Sequence, residues 1–151
     1  MFIQITLYIH ILAATAWIGG ALLLFALGIV MRDKEAQAQV YLHLGPIYGY
    51  FETIWLILLW ITGIILFVHY NIWDIMTNDN GSHLAYAMDH KLRYVALITV
   101  LTVVHMYIAL KTHTKNRTKM QHIISRGSSL LIFFANLGIL WFAIELREIL
   151  T

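Results

Sequence analysis

Cysteine is absent from this chain of 151 residues, and charged residues make up only 12% of it. The absence of cysteine excludes disulfides, thiolate metal sites and iron–sulfur ligation, so any metal must be held by histidine, methionine, carboxylate or backbone groups. A soluble domain contains about 25% charged residues. The low charge, the 60% share of hydrophobic residues and the mean hydropathy of +0.74 therefore indicate an integral membrane protein.

Charged residues are missing altogether from the first apolar run, Phe2 to Val30. A run of this length can cross a bilayer, which needs about 20 apolar residues. Three more apolar runs follow, so we predict an all-α, four-helix membrane bundle that forms a single domain over residues 1–151. The helices are predicted at about residues 2–30, 47–69, 92–110 and 127–144. Pro46, the one proline, is predicted in the first turn of the second helix.

Basic residues are missing from the connection between Tyr70 and His90, which contains a turn signal at residues 78–81. The connection from Lys111 to Arg126 contains five basic residues and no acidic one. Lysine and arginine remain on the cytoplasmic side of a membrane. We therefore predict that the first and third connections are cytoplasmic and that both termini lie on the non-cytoplasmic side. The expected location is the bacterial inner membrane, with the lipid bilayer as a partner and no nucleic acid.

His10 is a polar residue inside the first apolar span. Neutral imidazole has one donor and one acceptor to satisfy, and hydrocarbon supplies neither. An intramembrane histidine is therefore a candidate functional residue. One interpretation is a metal ligand whose second nitrogen is held by a threonine or carbonyl of a neighbouring helix. The other is a plain hydrogen bond to such a group. Trp17 follows two turns later on the same face, and the edge of a bound haem is expected to stack near Trp17 or Trp60.

One face of the second span carries several polar residues. Spacings of three and four place the following residues on that face: Glu52, Trp55, Leu59, Thr62, Leu66 and His69. Because it carries polar groups, this face is predicted to point into the bundle. His69 and His10 are both expected near the outer end of their helices, at a similar depth. Two histidines in this arrangement suit axial ligation of a b-type haem, whereas the alternative places His69 in the membrane interface beside Tyr70.

Two basic residues, Lys91 and Arg93, lie at the outward-facing start of the third span, against the charge bias. They would pair with an anionic ligand such as haem propionates, or with Asp89 and the membrane surface. His105 lies about 20 Å deeper. It could bind a second centre, relay protons or make an interhelical hydrogen bond, and Asn136 in the fourth span is expected to join helices.

Copper is the alternative cofactor to haem b. Its candidate ligands lie towards the outer end of the predicted bundle: His10, His69, His83, Met88 and His90. Histidine and methionine are suitable copper ligands. The methionines do not form a cluster, so the sequence leaves the choice between the two cofactors open.

Three stretches resemble known families. The stretch from His10 to Gly20, HILAATAWIGG, resembles the first-helix H-x6-W-x-G-G pattern of CopD-type copper-resistance membrane proteins. The sequence TGIIL at residues 62–66 resembles the end of their next helix. His90, Lys91 and Leu92, followed by an apolar run to His105, resemble a helix of the related HemJ-type protoporphyrinogen oxidases. The chain lacks the L-P-R segment of the HemJ pattern and a methionine-rich cluster like that of CopD.

The resemblance implies a four-helix membrane bundle. A HemJ-type protein would bind haem b through the first-helix histidine and take electrons from a porphyrinogen, whereas a CopD-type protein would handle copper. We therefore expect a membrane-embedded b-type haem electron-transfer protein, and a protoporphyrinogen oxidase-like enzyme is its catalytic form. A copper transporter or chaperone and a structural or assembly subunit are the alternatives. A quinone, another membrane redox protein and a second copy of the chain are the candidate partners.

Overall fold

The computed structural model describes residues 1–78, 81–111 and 119–150, and these residues form helices without any strand. The helices are α1 Phe2–Val30, α2 Lys34–His69, α3 Ile72–Asn78, α4 His83–Lys111 and α5 Lys119–Leu150. Four of them contain stretches long and apolar enough to cross a membrane: Phe2–Val30, Ile47–His69, His83–Ile108 and Gly127–Glu148. The predicted all-α class and the four membrane-length helices are therefore confirmed.

The long helices pair as two hairpins. α1 packs mainly against α2, and α4 packs mainly against α5, while α1 with α5 and α2 with α4 make smaller contacts between the hairpins. Trp17, Ile98 and Ala135 form the buried apolar cluster where three of these helices meet. Many outward-facing side chains are large and apolar, for example Ile57 and Leu131, as expected of helices that face lipid.

Glycine allows aromatic rings to lie directly against neighbouring helices. A Cβ atom on Gly20 would lie 2.8 Å from Cε2 of Tyr48, so the Tyr48 ring occupies the space beside the α1 backbone. A Cβ atom on Gly138 would lie 3.1 Å from Cε1 of Tyr94 in the other hairpin. Both hairpins therefore depend on a glycine at a point of close helix approach.

Several helix boundaries differ from those predicted. α2 begins at Lys34 instead of residue 47, so the prediction that Pro46 lies in the first helical turn is wrong. Asp33 caps this earlier start, because its Oδ1 accepts a hydrogen bond of 2.9 Å from the Glu35 N–H. The prediction followed hydropathy, which marks the part of a helix inside the membrane and not the polar turns beyond it.

The connection between α2 and α4 is shorter and more helical than predicted. α3 occupies part of it, directly after Asn71, whose positive φ of 49° suits asparagine. α4 begins at His83, and the N–H of Ala85 donates to Ser82 Oγ at 3.1 Å. His83, Met88 and His90 therefore lie on α4 and not in a loop. Residues 79 and 80 of the predicted turn, and residues 112–118 of the basic connection, lie outside the described residues.

Candidate functional site

His10 is held by a hydrogen bond to the neighbouring helix. Its Nδ1 lies 2.8 Å from Thr62 Oγ1, and the Thr62 hydroxyl donates its own proton to the carbonyl of Leu58 at 2.6 Å. With the Thr62 proton on the Leu58 carbonyl, Thr62 Oγ1 can accept a hydrogen bond from the His10 Nδ1–H. The His10 Nε2 keeps its lone pair, and it makes no hydrogen bond to any residue that the structure describes.

The His10 ring also lies against the backbone of α2. A Cβ atom on Gly63 would be 3.4 Å from His10 Cε1, so a side chain at this position would touch the ring. Thr62 is buried and His10 is partly buried. Residues 62 and 63, which carry part of the family resemblance, are thus the residues that position His10. One of the predicted acceptors, a threonine on a neighbouring helix, is present.

Lys91 is a basic residue on α4 whose side chain is partly buried. Among the described residues, Lys91 has neither an ion pair nor a hydrogen bond. A partly buried ammonium without a counter-ion favours an anionic ligand beside it.

Arg93 differs from Lys91 although both were predicted to contact an anion. Its Nε lies 2.8 Å from Asp89 Oδ2, and its side chain is 76% exposed. This is the ion pair that the sequence offered as the alternative. Of the two basic residues, Lys91 is the one without an ion pair among the described residues.

His69 does not lie at the level of His10. Thr62 occupies that level on α2, and His69 lies two turns, or about 10 Å, further along the helix. Its exposed ring packs edge-on against Tyr70 with 5.0 Å between the ring centres. The face predicted to point inward is buried at Glu52 and Thr62, but it is exposed at His69, the last residue of α2. The expected equal depth of the two histidines is therefore wrong.

Trp17 and His105 lie deeper in the bundle. Trp17 is 4% exposed in the apolar cluster, two turns from His10. His105 Nδ1 lies 3.1 Å from Ser128 Oγ and 3.5 Å from Ser129 Oγ on α5. The interhelical hydrogen bond, one of the three predicted roles of His105, is present.

The remaining copper candidates lie apart from His10. His83 is exposed at the start of α4. The His90 Nδ1–H donates to the Tyr86 carbonyl at 3.0 Å, and its ring packs 5.2 Å from that of Phe142 on α5. Met88 is partly buried on the same helix. Across the described part of the chain, no group of three histidine, aspartate or glutamate side chains could hold a metal ion.

Several polar groups in the middle of the bundle are buried without a hydrogen-bond partner among the described residues. Asn136 is 1% exposed, and both polar atoms of its amide lack a partner among the described residues. The same is true of Trp17 Nε1, the Tyr48 hydroxyl and Thr102 Oγ1. The sequence indicated Asn136 as a helix-joining residue. Tyr48 and Thr102 belong to no recognisable motif, so the burial of the Tyr48 hydroxyl and of Thr102 is visible only in the packing.

Comparison of the chain with protein-family models, with curated proteins and with solved structures finds no match. The fold therefore establishes the class: an all-α protein with four helices that can span a membrane. The resemblance to CopD-type and HemJ-type proteins stays a prediction from short motifs.

Proposed function

We propose that the chain is a membrane-embedded b-type haem redox protein in which His10 binds the iron through Nε2. The observation that carries the proposal is the hydrogen-bond series from His10 Nδ1–H through Thr62 to the Leu58 carbonyl. Metal-binding histidines nearly always donate their second ring N–H to an acceptor, which fixes the tautomer and the ring orientation. In this bundle the acceptor is present and Nε2 keeps its lone pair.

The donor set suits a haem. An imidazole nitrogen is a common axial ligand of haem iron, and the surrounding residues of the spans are apolar. The Lys91 ammonium, which has no counter-ion among the described residues, would pair with a propionate carboxylate. Arg93 is engaged with Asp89 and would have a secondary part in that contact. A bound haem would supply one-electron redox chemistry. His10 would be its ligand, Thr62 would orient the His10 ring, and Lys91 would neutralise the charge of a propionate.

Neither His69 nor His105 would hold the haem together with His10. His69 lies two turns beyond the level of His10, and His105 is bonded to Ser128 at the other end of the bundle. His90 packs between α4 and α5. We therefore propose that His10 is the single histidine ligand provided by the described residues.

We also propose that both termini and the α2–α4 connection face outward across a bacterial inner membrane. The connections rich in lysine and arginine both lie at the opposite end of the helices, which supports this orientation. Asn78→Cys and Glu35→Cys would test it, because the chain has no cysteine of its own. An impermeant thiol reagent added outside the cells should label Asn78→Cys alone. Labelling of Glu35→Cys alone would show that the topology is the opposite of the proposed one.

In this proposal a quinone or another membrane redox protein exchanges electrons with the haem. Porphyrinogen oxidation, which the HemJ resemblance implies, is the enzymatic form of the same proposal. In either case the haem, and not the electron donor, is the feature that His10, Thr62 and Lys91 support. Haem binding therefore has to be tested before any substrate.

The test is the absorption spectrum of the purified protein after expression with ample haem. We expect a Soret band that shifts on reduction with dithionite, and we expect its loss in His10→Ala. His69→Ala is the matched control, since its ring lies outside the bundle, and it should retain the band. Wild-type protein without a Soret band contradicts the proposal. In that event, bound copper after copper loading would support the copper-handling alternative, and the absence of both cofactors would support an assembly subunit.

A further inference from the structure

Four buried polar groups in the bundle interior have no partner among the described residues. They are Trp17 Nε1, the Tyr48 hydroxyl, Thr102 Oγ1 and the Asn136 amide, and each of the four long helices supplies one of them. An unpaired buried polar group costs about 1–3 kcal/mol. Hydrocarbon around the bundle offers no hydrogen bonds in compensation. Several such groups in one small bundle therefore point to a polar ligand within it.

Packing places Trp17 and Asn136 near one level of the bundle, while Thr102 lies about one turn further along α4. Trp17 contacts the buried cluster that contains Ile98 and Ala135. Thr102 follows Ile98 by one turn on α4, and Asn136 follows Ala135 on α5. The exposed fractions are 4% for Trp17, 4% for Thr102 and 1% for Asn136. These side chains are hidden from lipid as well as from bulk water.

The chemistry of the groups identifies the ligand. The indole N–H of Trp17 can only donate, while the Asn136 amide and the Thr102 hydroxyl can both donate and accept. The ligand must therefore accept and donate, and it must be small because the groups lie inside a packed core. Water meets both conditions, and a buried water typically makes about three hydrogen bonds to otherwise unpaired polar groups.

We propose that Trp17 and Asn136 bind water in the interior of the bundle, with Thr102 about one turn away on α4 and Glu52 about one turn away on α2. Glu52 is 6% exposed and lies one turn after Tyr48, before Trp55, which packs against the same cluster. In this site the Trp17 N–H donates to water, and water donates to the Asn136 carbonyl oxygen. The site lies two turns from His10 and does not depend on haem binding.

Radiolytic hydroxyl-radical footprinting of the full chain in lipid nanodiscs tests the proposal. Radicals that form from bound water modify an adjacent side chain even when bulk solvent cannot reach it. We expect modification of Trp17, and we expect it to fall several-fold in Asn136→Leu. Ile132→Leu, at another buried position on α5, is the matched control and should leave the modification unchanged. Trp73, which is 67% exposed, provides the reference for radicals from bulk water.

A wild-type footprint in which Trp73 is modified and Trp17 is not would overturn the proposal. This result needs no variant, so it holds even if Asn136→Leu does not fold. Thermal unfolding adds an independent result. Replacing an unhydrated, unpaired amide by leucine would raise the unfolding midpoint, whereas loss of a bound water that pairs Trp17 should lower it by about 3 °C. A raised midpoint would also overturn the proposal.

Discussion

The two hairpins each contain a histidine bonded to a hydroxyl of the partner helix, but the two histidines differ chemically. His10 meets Thr62 at 2.8 Å in α1–α2, and His105 meets Ser128 at 3.1 Å in α4–α5. The Thr62 hydroxyl also lies 2.6 Å from the Leu58 carbonyl, so it can donate there and accept from His10. At His105 a second hydroxyl, that of Ser129, lies 3.5 Å from the same nitrogen.

The comparison identifies what distinguishes the proposed metal ligand, His10, from the other intramembrane histidine. Depth and residue type are not sufficient, since both histidines lie inside a span and both are bonded across a hairpin. The difference lies in the Thr62 hydroxyl, which can accept from His10 while it donates to the Leu58 carbonyl, together with Lys91 on α4, which has no ion pair among the described residues.

The largest expected effect separates the two histidines by their spectra. His10→Ala should abolish the Soret band, because it removes the iron ligand. His105→Ala should retain the band at nearly the wild-type ratio of haem to protein, since it loses only an interhelical hydrogen bond. Absorption spectra of both variants, purified in parallel, provide the measurement. Loss of the band in His105→Ala with retention in His10→Ala would exchange the roles of the two hairpins.

The next effect concerns the hydroxyl that orients His10. Thr62→Val removes the acceptor while it keeps the shape of the side chain, and such changes around a metal ligand cost about 10–100-fold in affinity. Haem titration of the apoprotein should show that loss. Thr62→Ser keeps the hydroxyl and should bind nearly as the wild type does. Ser128→Ala, the corresponding change in the other hairpin, should leave haem affinity unchanged. Equal losses of haem affinity in Thr62→Val and Ser128→Ala would contradict the distinction between the two histidines.

A smaller effect tests the packing that brings α1 onto α2. Gly20→Ala would place a methyl group 2.8 Å from the Tyr48 ring, and we expect it to lower the free energy of unfolding by about 1–3 kcal/mol. Gly19→Ala is the matched control, because nothing lies within 4 Å of a Cβ atom there. Alanine favours a helix by up to about 1 kcal/mol over glycine, so Gly19→Ala should be neutral or stabilising. Denaturant unfolding in mixed micelles measures the free energy of unfolding of both variants. A larger loss in Gly19→Ala than in Gly20→Ala would contradict this expectation.

The smallest expected effect concerns the corresponding contact between a glycine and an aromatic ring in the α4–α5 hairpin. A Cβ atom on Gly138 would lie 3.1 Å from Tyr94 Cε1, which is a less severe overlap than at Gly20. We expect Gly138→Ala to lower the free energy of unfolding by about 1 kcal/mol, less than Gly20→Ala does. The same denaturant measurement applies. A larger loss for Gly138→Ala would show that close packing matters more in α4–α5.

Hydropathy was sufficient to predict the four spans, because the apolar length that crosses a bilayer is visible in the chain. It was not sufficient to predict where helices begin. α2 starts at Lys34 behind the Asp33 cap, and α4 starts at His83 behind Ser82, so polar turns extend both helices beyond the apolar runs. Those caps were visible in the sequence, whereas the continuation of a helix through Pro46 was not.

The site was predictable in its residue types and less so in its geometry. His10 and the polar face that contains Thr62 follow from the sequence alone. The depth assigned to His69 was wrong because the register of α1 against α2 is set by packing, with the His10 ring against Gly63. Arg93 lies four residues after Asp89, so their ion pair was visible as an alternative. The burial of Asn136 with Trp17 and Thr102 depends on contacts among three helices, which no local pattern encodes.

The central claim is that His10 itself binds the haem iron, and ligand replacement tests it most directly. His10→Gly removes the imidazole side chain and leaves the rest of the chain intact. We predict that His10→Gly loses the haem spectrum and that added imidazole restores the Soret band, while imidazole does not alter the haem content of His105→Gly. A His10→Gly protein that keeps the full spectrum without imidazole would contradict the claim and leave His10 as a residue that only joins α1 to α2.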